Sequence, residues 1–372
     1  MFGKLFGKKK VGPHLVHIEG VDKPVECDEK TFILSAALRD GIAIPYSCRV
    51  GGCGTCKVRL LEGKVKEFTD KTYLLSQEEL RANYILSCQC QPRSDVRIQV
   101  DGLDLSAEAQ ASVHEVVNRM GLIKALNHLT HDIVEVRIEL DGPMAYTAGE
   151  YADMRVPGVL DEFRSYYFAA RPDSAQANRV IFHIRKVPGG KFTEWLHQAD
   201  RIGARVELRG PFGDFRLRSA AAPMVCVAGG SGMAPIKALL EQALVDGAER
   251  DCTYLFGART QQDLYGQDDM ARIAKHWKGR FRFIPVLSNE PEDSDWTGPR
   301  GLVTEFLTRE VPELATCHAY MCGPPPMLDA AIEVLKGAGI PGEHIHFDKF
   351  LDKSHLAKAH IDEPTSHIGD KG

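Results

Sequence analysis

Residues 48–56 read CRVGGCGTC, and a further cysteine, Cys88, follows after a long gap. Three thiols at C-x4-C-x2-C with a distant fourth are the plant-type spacing for a [2Fe–2S] cluster, in which four thiolates hold two irons. Gly51, Gly52, Gly54 and Thr55 fill the loop with small residues. Such a loop must fold tightly around the sulfurs, often through φ > 0, and turn backbone N–H groups toward them. Zinc is the competing reading, but its usual pattern is two C-x2–4-C pairs, or one pair followed by a histidine pair. No such second half exists in this sequence. The expected metal ligands are Cys48, Cys53, Cys56 and Cys88, which make the chain an electron carrier.

The chain has 372 residues, 44% of them apolar, enough for two or three packed domains. A formal charge of −5 supplies no basic field, so nucleic acid is not an expected partner. Beyond the four ligands, Cys27, Cys90, Cys226, Cys252, Cys317 and Cys322 remain; Cys226 sits in an apolar run and Cys27 in a strand-like one. Buried free thiols rather than a disulfide framework are expected, and with them a reducing, cytoplasmic setting. No stretch approaches the roughly 20 apolar residues that span a bilayer. The N-terminus, MFGKLFGKKK, lacks a secretory core but sets Phe2, Leu5 and Phe6 among Lys4, Lys8, Lys9 and Lys10. Two readings stand: a disordered basic tail, the more ordinary one, or a short amphipathic piece resting on the anionic inner face of the cytoplasmic membrane.

Domain organisation follows from changes of period. Residues 13–103 read as one unit, with HLVHIEG and PVECDE as a strand pair around Gly20–Asp22. Thr31 is expected to cap a helix over TFILSAALRDG that Gly41 stops, and CKVRLLEGKV and VRIQVD alternate as strands do. Strands wrapped on one helix with the cysteine loop at the edge describe a β-grasp ferredoxin. Residues 104–120, polar, Ala-rich and loosely helical, read as a linker. Residues 121–220 carry short strand signals (IVEVRIEL, YADMRV, SYYFAA, VIFHIRKV, RVELRG), the pattern of an antiparallel β-barrel. Residues 221–350 alternate apolar strands with helices, the mark of a parallel α/β sheet, and 351–372 form a polar tail. The expected fold is multidomain, α+β and α/β.

GGSGMAP, Gly229–Pro235, lies between the strand MVCVA and the helix PIKALLEQAL. Glycines at such a corner admit a pyrophosphate to the helix N-terminus, although any strand-to-helix corner uses glycine. MCGPPPM ends a second strand in the same manner; two such turns at one sheet edge would flank a nucleotide crevice. In the barrel, Arg164-Ser165-Tyr166-Tyr167 joins a phosphate-binding side chain to aromatic faces. An ordinary barrel strand with a surface arginine explains that run equally well. PGGKFTEWL adds a glycine turn opening a helix, with Thr193 as a hydroxyl donor.

RSYYF, PGGKFTEWL, GGSGMAPIK, FGARTQQDLY, CGPPPM and HFDKF stand in an order that resembles the ferredoxin–NADP reductase superfamily. With the cysteine loop in front, the chain from His14 to Phe350 is similar to the reductase components of bacterial multicomponent oxygenases. Its form resembles the electron-transfer components of xylene and cymene monooxygenases. The resemblance implies FAD, NADH rather than NADPH, and a monomeric NADH:ferredoxin-type oxidoreductase. Its partner would be a terminal hydroxylase of the di-iron type, membrane-embedded in the xylene case. The same module also serves Rieske dioxygenases and deoxysugar dehydratases, and a non-enzymatic ferredoxin docking module is a further alternative. The NADH-oxidising subunit of sodium-pumping quinone reductases shares the domain order but has a membrane helix, which this sequence does not show.

Carried over by motif, Arg164 would hold the FAD pyrophosphate and Tyr166 would pack on the isoalloxazine. His183, Ile184 and Arg185 would line the flavin ribose and diphosphate, and Gly190 and Thr193 the pyrophosphate. Gly230, Gly232 and Pro235 would receive the nicotinamide dinucleotide. Ser165, Gly189, Lys191, Gly229, Ser231, Gly323 and Pro324 complete the implied cofactor contacts. Cys322 would stand beside the nicotinamide C4, and Asp348 and Phe350 match the family's C-terminal carboxylate and flavin-covering aromatic. Tyr167 departs from the pattern: the family has serine there, contacting flavin N5, and the phenol, Thr193 or a backbone N–H would have to replace it. Cys322, Tyr167, Asp348 and Phe350 form the implied catalytic set. Arg259 and Asp263 both follow the second α/β strand; by themselves they leave the nucleotide choice open, since arginine suits a 2′-phosphate and a carboxylate a free ribose.

Overall fold

A computed structural model of the chain describes residues 12–106 and 113–350. The basic N-terminus, the polar tail and the middle of the Ala-rich joining stretch lie outside the described residues. The described chain divides into two compact units, one ending at Val113 and one beginning at His114.

The first unit runs β1 (His14–Ile18), β2 (Val25–Cys27), α1 (Ile33–Arg39), β3 (Lys57–Glu62), β4 (Val65–Glu67), α2 (Gln77–Arg81), β5 (Tyr84–Leu86), β6 (Cys90–Pro92) and β7 (Val96–Gln99). Five strands form a sheet in the order β2-β1-β7-β3-β5, and β4 pairs separately with β6. Alternation decides the faces: Val16 and Ile18 of β1 are buried while His17 between them is exposed. β1 lies parallel to β7, and α1 buries Ile33, Leu34, Ala36 and Ala37 beside β2 and β6. This is the β-grasp expected. Gly63 turns β3 into β4 at φ +94°, where a Cβ would sit 2.2 Å from the Asp95 carbonyl oxygen.

Two local readings differ from the sequence. Thr31 does not cap α1: its N–H closes a turn on the Asp28 carbonyl, and Phe32 stands at the cap with no side-chain hydrogen bond. Helix α2 was not expected, although Ser76 and Glu79 form a capping box, an S-x-x-E signal present in the sequence.

In the second unit, β8 (Val117–His128), β9 (Ile133–Leu140), β10 (Tyr151–Val156), β11 (Leu160–Tyr167), β12 (Arg179–Arg185), α3 (Lys191–Gln198) and β13 (Arg205–Phe212) come first. The strands run in the order β11-β10-β13-β8-β9-β12, and a bridge between Phe168 and Phe182 joins the two edges into the expected barrel. Ile123, Val136, Met154, Phe168, Phe182 and Leu208 fill it. The joining stretch read as loosely helical up to Met120 is already strand from Val117, because Val117–Met120 pair with β13.

The chain then lays down β14 (Met224–Gly229), α4 (Met233–Val245), β15 (Cys252–Ala258), α5 (Gln267–His276), β16 (Phe281–Leu287), α6 (Leu307–Glu310), β17 (His318–Gly323), α7 (Pro325–Gly337) and β18 (Ile345–Lys349). All five strands are parallel, in the order β16-β15-β14-β17-β18. Every residue of the central strands β14 and β17 is buried, as a sheet covered on both faces requires. Pro285, which cannot donate to a ladder, lies on the edge strand β16. The strand order reverses between β14 and β17, which places the open crevice of such a sheet beyond their C-terminal ends.

Candidate functional site

The cysteine loop leaves the extended β pattern through three residues at positive φ: Arg49 at 57°, Gly51 at 76° and Gly54 at 75°. These turns bring the Gly52 N–H within 3.3 Å of Cys48 Sγ. The Tyr73 hydroxyl holds the loop from outside, donating to the Gly51 carbonyl at 2.8 Å. Cys88 arrives on a short helical turn, Ser87–Gln89, whose Ser87 N–H and Oγ both donate to the Cys56 carbonyl, at 3.0 and 2.9 Å. The thiols meet in two pairs. Cys56 Sγ lies 3.1 Å from Cys88 Sγ. Cys48 and Cys53 share a hydrogen bond that pushes the first thiol up and holds the second down, to about 5. Two thiol pairs with an N–H donor turned on sulfur are the donor set that two irons, each taking two thiolates, require. Cys90 is buried in β6, and burial pushes its thiol up to about 12.

On the barrel, β11 pairs with β10 so that Tyr167 faces Tyr151, Tyr166 faces Ala152 and Arg164 faces Met154. Arg164 donates to Glu162 at 2.7 Å and to the Phe163 carbonyl at 2.9 Å, with much of the side chain in solvent. Ser165 donates to Asp153 at 2.8 Å. Tyr166 lies 5.4 Å, ring to ring, from Phe192 in the first turn of α3. Tyr167 donates its hydroxyl to Asp348 on β18, and its ring lies 5.6 Å from that of Phe350. The phenol left open for flavin N5 is thus committed elsewhere. So is Thr193, whose Oγ1 accepts from the Val187 N–H at 3.0 Å and donates back into the same turn. Gly190 stands at the N-cap of α3 with Lys191 exposed behind it, and the Gly189 N–H donates to Glu194 at 2.7 Å.

β12 carries three expected residues with different surroundings. Ile184 points into the barrel core. His183 is buried, with Nε2 3.8 Å from Glu135 and its ring 5.5 Å from Tyr265, while Nδ1 has no partner among the described residues. An orphaned buried ring nitrogen beside the crevice fits a polar group of a bound cofactor. The neighbouring His183 ring, with hydrogen bonds from Arg137 at 2.7 Å and Asn127 at 3.0 Å, outweighs burial and holds the Glu135 carboxyl at about 2. Arg185 donates to Asp132 at 2.9 Å.

β14 ends in a tight turn, Gly230–Gly232, that enters α4, with Pro235 buried in the first helical turn. Ala228 of β14 faces Cys322 of β17. At Gly232 a Cβ would lie 2.1 Å from the Cys322 carbonyl oxygen, so only glycine lets the two turns close on each other. The Tyr265 hydroxyl donates to the Gly230 carbonyl at 3.0 Å and braces the turn. Gly323 follows Cys322 at φ +155°, and Pro324 caps α7. Burial pushes the Cys322 thiol well up, and the nearby Asp348 adds to it. A cleft of about 330 Å³ opens here, lined by Arg185, Gly229, Gly230, Arg259, Asp263 and Pro324 among others. Ser231 lies in the same turn, half-buried.

Sequence reading missed Asp132, Tyr265 and Glu135, although Tyr265 closes the motif FGARTQQDLY. Asp132 and Glu135 have no local signal: Asp132 sits in the turn between β8 and β9, and only the fold brings it to Arg185 and Arg259.

Three family models match the chain: the 2Fe-2S iron-sulfur cluster binding domain over residues 16–93, the oxidoreductase FAD-binding domain over 121–217 and the oxidoreductase NAD-binding domain over 226–333. The xylene/toluene monooxygenase electron transfer component of Pseudomonas putida is 42% identical over 86% of this chain and 89% of its own. The propane 2-monooxygenase reductase component of Mycolicibacterium smegmatis is 33% identical over 91% of this chain and 97% of its own. Among solved structures, the Amycolatopsis cytochrome P450 reductase is 32% identical, with a TM-score of 0.76, over 91% of this chain and 98% of its own. The ferredoxin reductase of carbazole 1,9a-dioxygenase is 29% identical, with a TM-score of 0.68, over 91% and 98%. The thiol loop, the barrel and the glycine-edged crevice occur here in the same chain order, and the chain belongs to the reductase components of multicomponent monooxygenases, oxidoreductases that carry electrons from NADH through FAD and a [2Fe–2S] cluster to a terminal oxygenase.

Proposed function

We propose that this reductase serves the di-iron hydroxylase of a hydrocarbon or aromatic monooxygenase, acting as a monomer at the cytoplasmic face of the membrane that holds its partner. The 42% identity to the xylene/toluene monooxygenase electron transfer component supports that choice of partner. For the redox site, one observation carries the reading: Tyr167 of the barrel, Cys322 of the nucleotide sheet and Phe350 beyond β18 meet in one apolar cluster. The working division is 13–103 for the cluster domain, 121–220 for the flavin domain and 221–350 for the nucleotide domain.

Bound FAD would supply a hydride acceptor for NADH, and a cluster held by the four thiols would supply one-electron transfer. The chain's own task is to place and shield these groups. Arg164 supplies a planar cation for a pyrophosphate, and Tyr166 a ring against the flavin face. His183 offers its free Nδ1 toward the flavin's polar chain. The turn Gly229–Gly232 admits a dinucleotide pyrophosphate to the N-terminus of α4, where backbone N–H groups and the helix dipole favour negative charge. Cys322, kept neutral by burial, presents a compact uncharged wall to the nicotinamide. Phe350, packed beside Tyr167, would lie over a bound flavin and yield to an entering nicotinamide. Cys48, Cys53, Cys56 and Cys88 hold the cluster.

Anaerobic NADH titration of the purified protein, followed by absorbance and EPR, tests the whole reading. Flavin bleaching accompanied by a reduced-cluster EPR signal is expected; protein without flavin or iron, or without response to NADH, would refute it. Reconstitution with membranes carrying a xylene-type hydroxylase tests the partner. The likeness to a cytochrome P450 reductase favours a second reading, and faster electron delivery to a P450 than to those membranes would select it.

A further inference from the structure

We propose that Tyr167 and Asp348 form a latch that holds Phe350 in the apolar cluster that includes Cys322, so that opening this latch sets how readily nicotinamide enters. The proposal rests on the functional reading above. The two residues lie 181 positions apart and belong to different layers, Tyr167 ending barrel strand β11 and Asp348 lying in sheet strand β18. The phenol donates to an Asp348 oxygen, and only 2% of Asp348 is exposed.

Strand geometry extends that bond to Phe350. Residues two apart on an extended chain share a face, so Asp348 and Phe350 both turn toward Tyr167. Tyr167 meets one through its hydroxyl and the other through its ring, at 5.6 Å and an interplanar angle of 31°. The register of β18 against β17 ends at the pair Gly323–Lys349, and the Phe350 N–H makes one further bond, to the Gly323 carbonyl at 3.0 Å. Phe350 therefore stands just where the ladder stops, held by that backbone bond, by packing on the buried apolar cluster and by the contacts made through Tyr167.

This arrangement explains the departure at position 167. A serine there could reach a flavin edge, but it has no ring for Phe350 to lie on. Burial first, and then the Asp348 charge, keep the phenol protonated and so able to donate. Hydride transfer needs donor and acceptor atoms at roughly 3–3.5 Å, which leaves no room for a third ring between them. Nicotinamide therefore enters only when Phe350 leaves, and the latch opposes that departure.

The test uses the holoprotein and the variants Tyr167→Phe, Asp348→Leu and their combination, with Asp348→Asn retaining an acceptor. Dissociation constants for NAD+ are read from flavin absorbance, and NADH KM and kcat from ferricyanide reduction. Tyr167→Phe keeps the ring and removes only the donor. It is expected to tighten NAD+ and lower the NADH KM by about three- to tenfold, the size of one net hydrogen bond. Asp348→Leu should do the same, the double variant should gain nothing beyond either single one, and Asp348→Asn, which keeps an acceptor, should tighten NAD+ less than Asp348→Leu does. The flavin spectrum of Tyr167→Phe without nucleotide should not change. Unaltered NAD+ affinity, additive effects, or a flavin spectrum shifted by loss of the hydroxyl alone would overturn the latch. Parent protein devoid of flavin would instead overturn the functional reading on which it rests.

Discussion

The Arg259 guanidinium is clamped by Asp263 at 2.5 Å and reaches Asp132 at 3.3 Å. Asp132 also accepts from Arg185 at 2.9 Å, so one carboxylate links two arginines across the mouth of the cleft. The Asp263 hydrogen bond leads in holding the Arg259 cation, and Arg259 in turn holds the Asp263 carboxyl below its usual range against the opposing effect of burial. An arginine already paired in this way would be a poor receptor for a 2′-phosphate, which suits NADH as the donor.

Asp263→Asn should therefore weaken the discrimination. The amide keeps an acceptor for the Thr260 N–H, which Asp263 now caps at 3.0 Å, while the charge that occupies Arg259 is removed. A freed guanidinium gaining a charge-assisted bond to phosphate is worth about tenfold or more in affinity. The NADPH kcat/KM is expected to rise by about that factor as the NADH value falls; an unchanged ratio would refute this role for Asp263.

Cys53→Ser should end electron output to cytochrome c while leaving NADH–ferricyanide activity largely intact, because only the cluster ligand set is broken. Cys90→Ala should leave the EPR signal of the cluster unchanged, since both thiol pairs are complete without it and Cys90 is buried in β6. Parallel loss of both activities in Cys53→Ser would rule out a serial route from flavin to cluster.

Gly232→Ala should be severe. Its methyl would lie 2.1 Å from the Cys322 carbonyl oxygen, backbone that cannot swing away. Overpacking of this kind costs about 1–3 kcal/mol, and here it would push the β14 turn away from β17. We expect a loss of at least about tenfold in NADH kcat/KM with FAD content retained, measured by steady-state kinetics beside flavin absorbance.

Acid should destabilise the nucleotide sheet through its histidines. His318 stacks on His344 at 4.0 Å and lies 5.8 Å from His346, with Arg250 near the first and Arg216 and Arg218 near the last. Burial, reinforced by these cations, lowers His318 from 6.5 to about 4 and His346 to about 3. The unfolded chain takes up these protons first, so stability is full above about pH 6.5 and falls as pH drops toward 4 and 3. His346→Gln should flatten the decline of Tm between pH 6.5 and 4, each kcal/mol restored appearing as ~2–4 °C. An equally steep decline in that variant would exclude His346.

Arg164→Ala should weaken FAD retention by about tenfold or more if its guanidinium meets the pyrophosphate. Glu162 and the Phe163 carbonyl are its present partners, and both can be released without burying a charge, because the side chain is 41% exposed. Flavin content after dialysis decides this.

Much of the design was legible along the chain because its signals are local. The C-x4-C-x2-C loop, the glycines between MVCVA and its helix, and the change of period after Leu217 each report a backbone requirement met within a few residues. Alternation gave the β-grasp strands and the barrel strands for the same reason. Local reading failed where neighbours outweighed the pattern. Thr31 is spent on the turn from Asp28, and Val117–Met120 pair with β13 instead of continuing the polar stretch before them.

By itself, then, the sequence determined the order of the three domains, the four expected cluster thiols and the glycine corner of the nucleotide site, since each depends on spacing and backbone freedom. Tertiary structure alone decided what distant side chains do. Asp132 reaches Arg259 from 127 residues away, and Tyr167 is bound to Asp348 from 181. Such pairings depend on strand order and register, which no short segment carries: only when β17 lies beside β14 and β18 beside β17 does the last strand bring its carboxylate and aromatic ring to the barrel.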